Sequence, residues 1–550
     1  MAGGSPKQQQ EQAIMILAGM ALAAIVTAAA VAWGCATVVA WVHSGQLPRL
    51  GLDKAVTIAT SPEFWSADPA SAYPRDVQRL LPGGWGFWST TALMVVLVAA
   101  MVVAAMREIA ERMAQTVADR RWYHIFLGRR PQAFGRYRTV KTALVVDAPQ
   151  PERVIVGTIA NPPALIAVQE HAQICAIAAP HSGTTSGLIV PAVLEHDGPV
   201  VTTATDNDVV HATLQARKRM GGEAFVWDPF GDYTDGWDPL QGCEQWSYAL
   251  TAARWLGHAL AFGENESTEY FDEVAQELAA PLLHAAALSP AKTIVDVYGW
   301  VRDRDVETPM KILTEVGAED PRARLQAVYR LNERRRDAVI GAVQFQLKAY
   351  GHPAVQRTAT RGRGITPEEL FDGRPNTVYI VAGREHQRLL APLAVTMLSS
   401  LVYYATELEN RERRRIAPPA LFALDETAQV VPLQELPQIL SVSHDIGIRF
   451  VTVWHSLAQM RERYGNDAAA EIMAMSQAKA FLGAITDEGT RHELLRLLGK
   501  GSDEHDGMTA QALQRLRAGQ GLLIHDGLPP VFFTQRPDVE ARDPVAVGVP

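Results

Sequence analysis

Cysteine is scarce in this sequence, which limits how covalent or metal crosslinks can stabilise the protein. The 550 residues include three cysteines, Cys35, Cys175 and Cys243. Their number and spacing fit neither a disulfide framework nor a zinc site. We expect Cys175 and Cys243 to be reduced, chemically inert side chains.

A net positive charge is also absent. The formal net charge is −9 at pH 7, so no global electrostatic field attracts nucleic acid to the protein. Any contact with DNA must therefore be local. Two arginine clusters, residues 334–336 and 411–415, are expected to be solvent-exposed faces of helices, since basic clusters on helices are usually solvated. Contact with DNA phosphates is the alternative for both clusters.

Lysine is missing from a segment that otherwise has the outline of a phosphate-binding loop. Residues 178–187 (AAPHSGTTSG) lie between two apolar runs, a pattern that predicts a strand, a loop and a helix. In G-x-x-x-x-G-K-[ST] loops, the backbone amides and the lysine hold nucleotide phosphates and the final hydroxyl binds Mg²⁺. Here Ala178 stands for the first glycine, Gly183 for the second, Thr184 for the lysine and Thr185 for the hydroxyl. The candidate nucleotide-binding residues are Ser182, Gly183, Thr184, Thr185, Ser186 and Gly187, and Thr185 is also a candidate metal ligand.

Two long uncharged segments are present near the N-terminus, residues 13–42 and 80–106. Each exceeds the ~20 residues that a helix needs to cross a bilayer core. Six arginines follow between residues 107 and 130, and such a cluster stays in the cytoplasm. We therefore predict two transmembrane helices, a disordered cytoplasmic N-terminus (residues 1–12), an extracytoplasmic loop (residues 43–79) and a cytoplasmic remainder. Trp41, Trp85 and Trp88 would lie at the outer membrane interface.

An acidic pair follows an apolar run later in the chain. Residues 421–424 (LFAL) lead directly into Asp425 and Glu426. Open α/β sheets bind ligands at the carboxyl ends of their strands. In loop-type nucleotidases an aspartate at this place holds Mg²⁺, and a neighbouring carboxylate can position the attacking water. Asp425 is thus a candidate metal ligand and both acids are candidate catalytic residues. For the pair alone, an ordinary acidic helix start remains an alternative.

Short apolar runs alternate with helical patterns in residues 139–246 and again in residues 365–535. This alternation predicts an α/β fold with a mainly parallel sheet and helices on both faces. Residues 247–364 have only helical periodicity and are predicted to form an inserted all-α domain. Residues 107–138 would be a cytoplasmic linker and residues 536–550 a C-terminal tail. The expected strands are residues 143–146, 154–156, 165–168, 174–179, 198–203, 224–227, 376–382, 420–424, 449–453, 480–484 and 521–524.

Two segments after the acidic pair carry a family resemblance. They are residues 431–441 (VPLQELPQILS) and 447–465 (GIRFVTVWHSLAQMRERYG). Both resemble the signature region of the TraG/TraD family, the coupling proteins of type IV secretion and bacterial conjugation. Residues 187–191, 228–230 and 237–240 resemble further family blocks, and the likeness extends over about residues 13–535.

The resemblance implies a membrane-anchored ATPase with a RecA-like fold that binds ATP and Mg²⁺. Such proteins assemble as hexameric rings in the bacterial inner membrane, with most of the chain in the cytoplasm. They pass DNA or protein substrates to the components of a secretion channel. The resemblance therefore implies partners of three kinds: channel components, a DNA or protein substrate, and further subunits of a homo- or hetero-hexamer.

The sequence departs from the family pattern around the nucleotide. Thr184 replaces the loop lysine, Asp206 occurs where related chains often have a second lysine, and His455 replaces a frequent glutamine. Two hypotheses follow. The chain is either a coupling ATPase with impaired hydrolysis or a non-hydrolysing adaptor that pairs with an active paralogue in a mixed ring.

Overall fold

The computed structural model of the chain has two compact units, Met1–Arg130 and Pro131–Pro550. The described residues are 33–34, 36–48, 50–93, 137–150, 152–159, 163–233, 235–258, 266–359, 364–498 and 514–536. Residues 1–12, most of residues 13–42, residues 94–136 and the tail beyond Arg536 lie outside them. The disordered N-terminus, the linker and the two membrane spans therefore stay predictions.

The described residues of the first unit form helices joined by turns and loops. Residues 36–44 and 84–93, which belong to the two predicted membrane segments, are helical. The predicted loop between them contains the helices Leu52–Thr60 and Arg75–Gln78 and the 3₁₀ turns Pro62–Trp65 and Pro69–Ala72. Phe64 is buried at their centre, with its ring centroid 6.1 Å from that of Tyr73 and 6.2 Å from that of Phe87. Aromatic packing thus gives this segment a small core of its own.

The described residues of the second unit contain twelve strands in one sheet, in the order β1-β3-β2-β12-β11-β10-β4-β9-β8-β5-β7-β6. Neighbours from β10 to β6 run parallel, and those from β1 to β10 run antiparallel. The predicted mainly parallel α/β sheet is confirmed. The strands are β1 Val145–Val146, β2 Ile155–Ile159, β3 Ala164–Ala167, β4 Ile174–Ala178, β5 Val200–Ala204, β6 Ala224–Trp227, β7 Thr377–Val381, β8 Ala420–Leu424, β9 Ile448–Trp454, β10 Ala478–Leu482, β11 Gln520–His525 and β12 Val531–Thr534.

Both faces of this sheet are covered, as alternating side chains of β4 illustrate. Cys175 and Ile177 pack in one hydrophobic core, whereas Ile174, Ala176 and Ala178 pack in another. A strand that is buried on both faces is apolar throughout, which is why β4 could be recognised from sequence. The helices that flank the parallel strands are Thr185–Glu195, Asp208–Arg219, Gln387–Glu412, Thr427–Val430, Leu436–Val442, Leu457–Met475 and Glu488–Leu497.

Two strand predictions were wrong in detail, and one strand was not predicted. Ala143 and Leu144 end the helix Tyr137–Leu144 instead of starting a strand, because Val140 and Leu144 share the buried face of this helix. The predicted strand at residues 521–524 exists, but β11 runs antiparallel to β10. An apolar run is equally buried in either direction, so its composition does not encode direction. Strand β12 was missed because its residues alternate between buried and exposed after two prolines.

Between β6 and β7 the described residues form helices joined by turns and loops, with no strand, as expected for the helical periodicity of this segment. Trp255, Trp300 and Tyr350 are buried in a hydrophobic core that these helices share with one face of the sheet. The charged stretch at residues 303–309 interrupts these helices, since one helix ends at Asp303, the left-handed Arg304 follows, and the next helix begins at Glu307. The helices are Trp246–His258, Glu266–Leu288, Ile294–Asp303, Glu307–Glu315, Glu319–Arg330, Glu333–Gln346, Pro353–Thr358 and Pro367–Leu370.

One helix within the described residues, Gln387–Glu412, is long and apolar enough to cross a membrane, and 78% of its apolar window is buried inside the protein. It lies in the core beneath the sheet, with Leu393, Met397 and Leu401 buried. Its apolar character is therefore explained by packing. The arginines at its end form ion pairs with glutamates, Arg411 with Glu407 among them, which agrees with the expected solvated helix face.

The two described cysteines are buried and unpaired. Burial raises the pKa of Cys175 to about 12 and also raises that of Cys243. The reactive species is the thiolate, so both side chains are chemically inert at neutral pH, as expected.

Stability is expected to fall as the pH is lowered below 6.5, in part because of His525. This imidazole is buried, and its Nε2 accepts a hydrogen bond from the Gln169 amide at 3.4 Å. Burial lowers its pKa from 6.5, against the raising effect of Asp526, and Lys479 lowers it further. Just below pH 6.5 the unfolded chain therefore binds a proton that the folded chain does not bind, which favours unfolding.

The measurement is the free energy of unfolding of His525→Gln between pH 5 and 7.5. We expect a shallower loss below pH 6.5 than in the wild-type protein. His211→Gln is the matched control, since His211 is exposed on the helix Asp208–Arg219. An unchanged slope for His525→Gln would contradict this assignment.

Candidate nucleotide-binding site

The phosphate-loop candidate occupies the predicted strand–loop–helix position. Strand β4 lies between β10 and β9 in the parallel part of the sheet, and all five of its residues are buried. The chain then turns through two residues with positive φ, His181 (59°) and Gly183 (82°). A helix begins at Thr185, with π geometry through Ile189 and α geometry through Glu195. The first amides of this helix therefore lie next to the loop, where they favour an anion.

Contacts within the loop fix its shape. Ser182 is buried, its amide donates to the Ala179 carbonyl at 3.1 Å, and its hydroxyl lies 2.9 Å from the Thr184 hydroxyl. Gly483, after β10, packs so closely that an added Cβ would lie 2.9 Å from the Ser182 Cβ. Thr184 thus points a short neutral hydroxyl into the loop, where a lysine would carry a charge.

The two candidate metal ligands are in direct contact. The Thr185 hydroxyl donates a hydrogen bond of 2.7 Å to Oδ2 of Asp425, which follows β8. The Asp425 carbonyl accepts a second hydrogen bond from Thr203 of β5 at 2.6 Å. Burial, as the largest effect, raises the pKa of Asp425 to about 6. A hydroxyl beside a carboxylate suits Mg²⁺, which prefers oxygen ligands and is usually held by one or two carboxylates.

Glu426 is held by His455, the histidine at a position where family members frequently have glutamine. Its Oε2 lies 2.7 Å from Nε2 of His455, at the end of β9. The hydrogen bond to Glu426 raises the pKa of His455, and a contact with the backbone of Ala178 raises it too. Glu426 itself adopts a left-handed conformation with φ of 50°. The imidazole thus ties the Glu426 carboxylate to the start of the candidate loop.

The acidic residues after β5 have a local role. The Asp206 carboxylate accepts a hydrogen bond from the Asp208 amide at 3.1 Å, at the start of the helix Asp208–Arg219. Asn207 donates to the Asp228 carboxylate at 3.3 Å. These contacts connect β5 and β6 at their carboxyl ends.

Two residues that sequence reasoning missed lie against the loop. Gln535 and Arg536 follow β12, and both are buried. An added Cβ on Gly187 would lie 3.0 Å from Cβ and Cδ of Gln535, and one on Gly183 would lie 3.2 Å from its Oε1. Arg536 forms a bidentate ion pair with Glu195, with the Nη2–Oε2 distance at 2.9 Å. Nothing in the local sequence indicates this contact, because it joins segments about 350 residues apart.

The described fold is shared with solved coupling-protein structures. "Bacterial conjugative coupling protein TrwBdeltaN70", in a trigonal form with sulphate, aligns with a TM-score of 0.55 and 16% identity, over 74% of this chain and 96% of that one. The plasmid coupling protein TrwB with the GTP analogue GDPNP gives 0.53 and 16%, over 68% and 88%. TrwB with ADP and Mg²⁺ gives 0.50 and 16%, over 68% and 87%. At these identities the likeness establishes the fold, and the RecA-like prediction is confirmed.

A search of curated proteins gave no match. The family described as "Type IV secretory system Conjugative DNA transfer", in contrast, matches residues 132–518, which is more than half of the chain. The matched range contains the phosphate loop, the helical insert and the acidic pair. The chain therefore belongs to the conjugative DNA transfer family of type IV secretory systems, the TraG/TraD coupling proteins.

Proposed function

We propose that this chain is a membrane-anchored coupling protein that recruits DNA or protein substrates to a type IV secretion channel, with impaired ATP hydrolysis. The observation that carries the proposal is the 2.7 Å hydrogen bond between Thr185 and Asp425. It keeps the two halves of a nucleotide site together in a fold that is shared with coupling proteins. Thr184, at the lysine position, removes the charge on which efficient hydrolysis depends.

The residues at this site suit ATP and Mg²⁺ in separate roles. Backbone amides of residues 182–187 would bind phosphate oxygens, and Thr185 and Asp425 would hold the metal. Glu426, oriented by His455, would accept a hydrogen bond from the attacking water. When bound, Mg²⁺ would neutralise negative charge on the phosphates. The structures of TrwB with ADP and Mg²⁺ support this assignment for the family.

Hydrolysis is expected to be poor because the missing charge acts mainly in the transition state. Loss of one preorganised electrostatic donor reduces the rate roughly 10²–10³-fold, or about 3–4 kcal/mol. Binding depends less on a single donor, because several amides and the helix N-terminus still face the phosphates. The site is therefore proposed to bind nucleotide weakly and turn it over slowly.

Membrane anchoring is proposed through residues 13–42 and 80–106, which would span the inner membrane twice with both ends in the cytoplasm. Exposed tryptophans within these segments, near the ends that face the predicted extracytoplasmic loop, support the proposal. Trp41 is 60% exposed and Trp85 is 93% exposed, and tryptophan is enriched at membrane interfaces. We also propose, from the family resemblance, that the chain assembles as a hexameric ring. Its partners would be components of the secretion channel.

A transfer assay tests the proposed function. A donor strain without this chain is expected to lose substrate transfer, which the wild-type gene should restore. A chain without residues 13–106 should accumulate in the soluble fraction and fail to restore transfer. Normal transfer with this truncated chain would contradict the membrane-anchored role.

Thr184 also supports a second candidate function, that of a non-hydrolysing adaptor. Thr184 beside an intact Asp425–Glu426 pair suits a non-hydrolysing adaptor within a mixed ring, where an active paralogue hydrolyses ATP. Native mass spectrometry of the complex purified from its own host would then detect two related chains in one ring. In this case Glu426→Gln leaves transfer unchanged, whereas it abolishes transfer if this chain itself hydrolyses ATP.

A further inference from the structure

Gln535 brings a buried amide donor to the phosphate loop. The residue is 6% exposed, and its Nε2 atom has no hydrogen-bond partner among the described residues. An unpaired buried donor destabilises a protein by about 1–3 kcal/mol. Buried polar groups without partners are rare, and a missing ligand is one explanation for them.

The glycines of the loop leave the space that this side chain occupies. A Cβ on Gly187 would be 3.0 Å from Cδ and 3.2 Å from Nε2 of Gln535. Gly183 and Gly187 are joined by a backbone hydrogen bond of 2.8 Å and so lie one helical turn apart. Thr184 lies three residues before Gly187, and residues at this spacing are neighbours on a helix surface. The carboxamide therefore lies beside the turn that carries the lysine position.

The segment that holds Gln535 is firmly attached. Its amide donates to the Gly519 carbonyl at 2.7 Å, and the Gly519 amide donates to the Ser182 carbonyl at 3.2 Å. Arg536, the next residue, is paired with Glu195 at the end of the helix that follows the loop. Backbone hydrogen bonds thus connect Gln535 to Gly519 and, through it, to the loop, and the ion pair of Arg536 connects the next residue to the helix that follows the loop. These contacts fix the backbone of Gln535 beside the loop.

We propose that Gln535 is a phosphate-binding residue, whose carboxamide Nε2 donates a hydrogen bond to a phosphate oxygen of a nucleotide held by residues 182–187. It supplies the donor position that lysine supplies in related loops, without the positive charge. The inference rests on the proposed nucleotide site and names a residue that the loop pattern does not contain. A neutral donor supports binding more than turnover, because it cannot neutralise the charge that develops on the transferred phosphate.

The test is the affinity of the purified full-length protein for a fluorescent ATP analogue with Mg²⁺, measured for a charge series at this position. Gln535→Ala should weaken binding about three- to tenfold, the loss expected for one hydrogen bond. Gln535→Lys should tighten binding about tenfold, since charge-assisted bonds are stronger. Gln535→Glu should weaken it more than alanine does. The same three substitutions at Gln438, an exposed glutamine on the helix Leu436–Val442, are the matched control and should change affinity less than twofold.

Two outcomes would overturn the inference while leaving the proposed site intact. If Gln535→Ala binds the analogue more tightly, the glutamine obstructs the loop and does not bind phosphate. If lysine and glutamate weaken binding equally in variants with wild-type melting temperatures, the side chain has only a packing role. The Thr184→Lys protein is measured in parallel to distinguish failure of this inference from failure of the proposed nucleotide site. If Thr184→Lys does not bind the analogue, both the proposed site and this inference are overturned.

Discussion

Replacing Thr184 by lysine is expected to raise the steady-state rate of ATP hydrolysis roughly 10²–10³-fold. The remaining parts of the site are already in contact: Thr185 donates to Asp425 at 2.7 Å, and His455 holds Glu426 at 2.7 Å. Lysine would return the positive charge that stabilises both the bound phosphates and the transition state. The measurement is phosphate release by the purified full-length protein in lipid nanodiscs at saturating ATP and Mg²⁺.

Three variants make this result interpretable. Thr184→Met has a long side chain without charge and should give no gain. Glu426→Gln, added to Thr184→Lys, should abolish the gained activity. Because Gln535 packs beside Gly187, Thr184→Lys combined with Gln535→Ala shows whether the lysine has room. Fast turnover in the wild-type protein, lost in Glu426→Gln, would refute impaired hydrolysis.

The second large effect is expected at Arg217, which is fully buried. Its Nε donates to the Thr377 hydroxyl at 2.7 Å, and its Nη2 donates to the carbonyls of Gly198 and Pro375 at 2.7 and 2.9 Å. Its Nη1 donates to the His196 carbonyl. One guanidinium thus joins the helix Asp208–Arg219 to the turn before β5 and to the start of β7. Burial lowers its pKa to about 10, so it stays charged at neutral pH.

Arg217→Met is therefore expected to reduce the free energy of unfolding by about 3–5 kcal/mol, since it leaves several buried acceptors without a donor. Arg219→Met, on an exposed position of the same helix, should change it by less than about 0.5 kcal/mol. Urea denaturation followed by circular dichroism compares the two. A loss below about 1 kcal/mol for Arg217→Met would show that water replaces the guanidinium at these carbonyls.

Sequence reasoning performed best where burial is complete. Strand β8, whose five residues are all buried, was predicted with its observed bounds, because a parallel strand that is covered on both faces is a continuous apolar run. The same logic located the loop after β4 and the acidic pair after β8, since ligand-binding residues follow such strands at their carboxyl ends. It performed worst at the antiparallel edge. There β11 was expected to be parallel but is antiparallel, because an apolar run does not indicate strand direction. Strand β12 was missed because its residues alternate between buried and exposed.

The candidate site likewise has features that could be predicted from the sequence and features that could not. By itself the sequence determined which chemical groups are available: a loop with Thr184 in place of lysine, the hydroxyl of Thr185, and two carboxylates after a buried strand. Tertiary structure alone decided which groups meet, since their contacts join segments far apart in the chain. In the folded protein Asp425 accepts a hydrogen bond from the Thr185 hydroxyl, and His455 contacts Glu426. Gln535 packs against the glycines of the loop. The physical reason is that the type of a residue determines whether its side chain is apolar, polar or charged. Which side chains contact each other depends on the order of the strands, and this order results from the packing of the entire sheet.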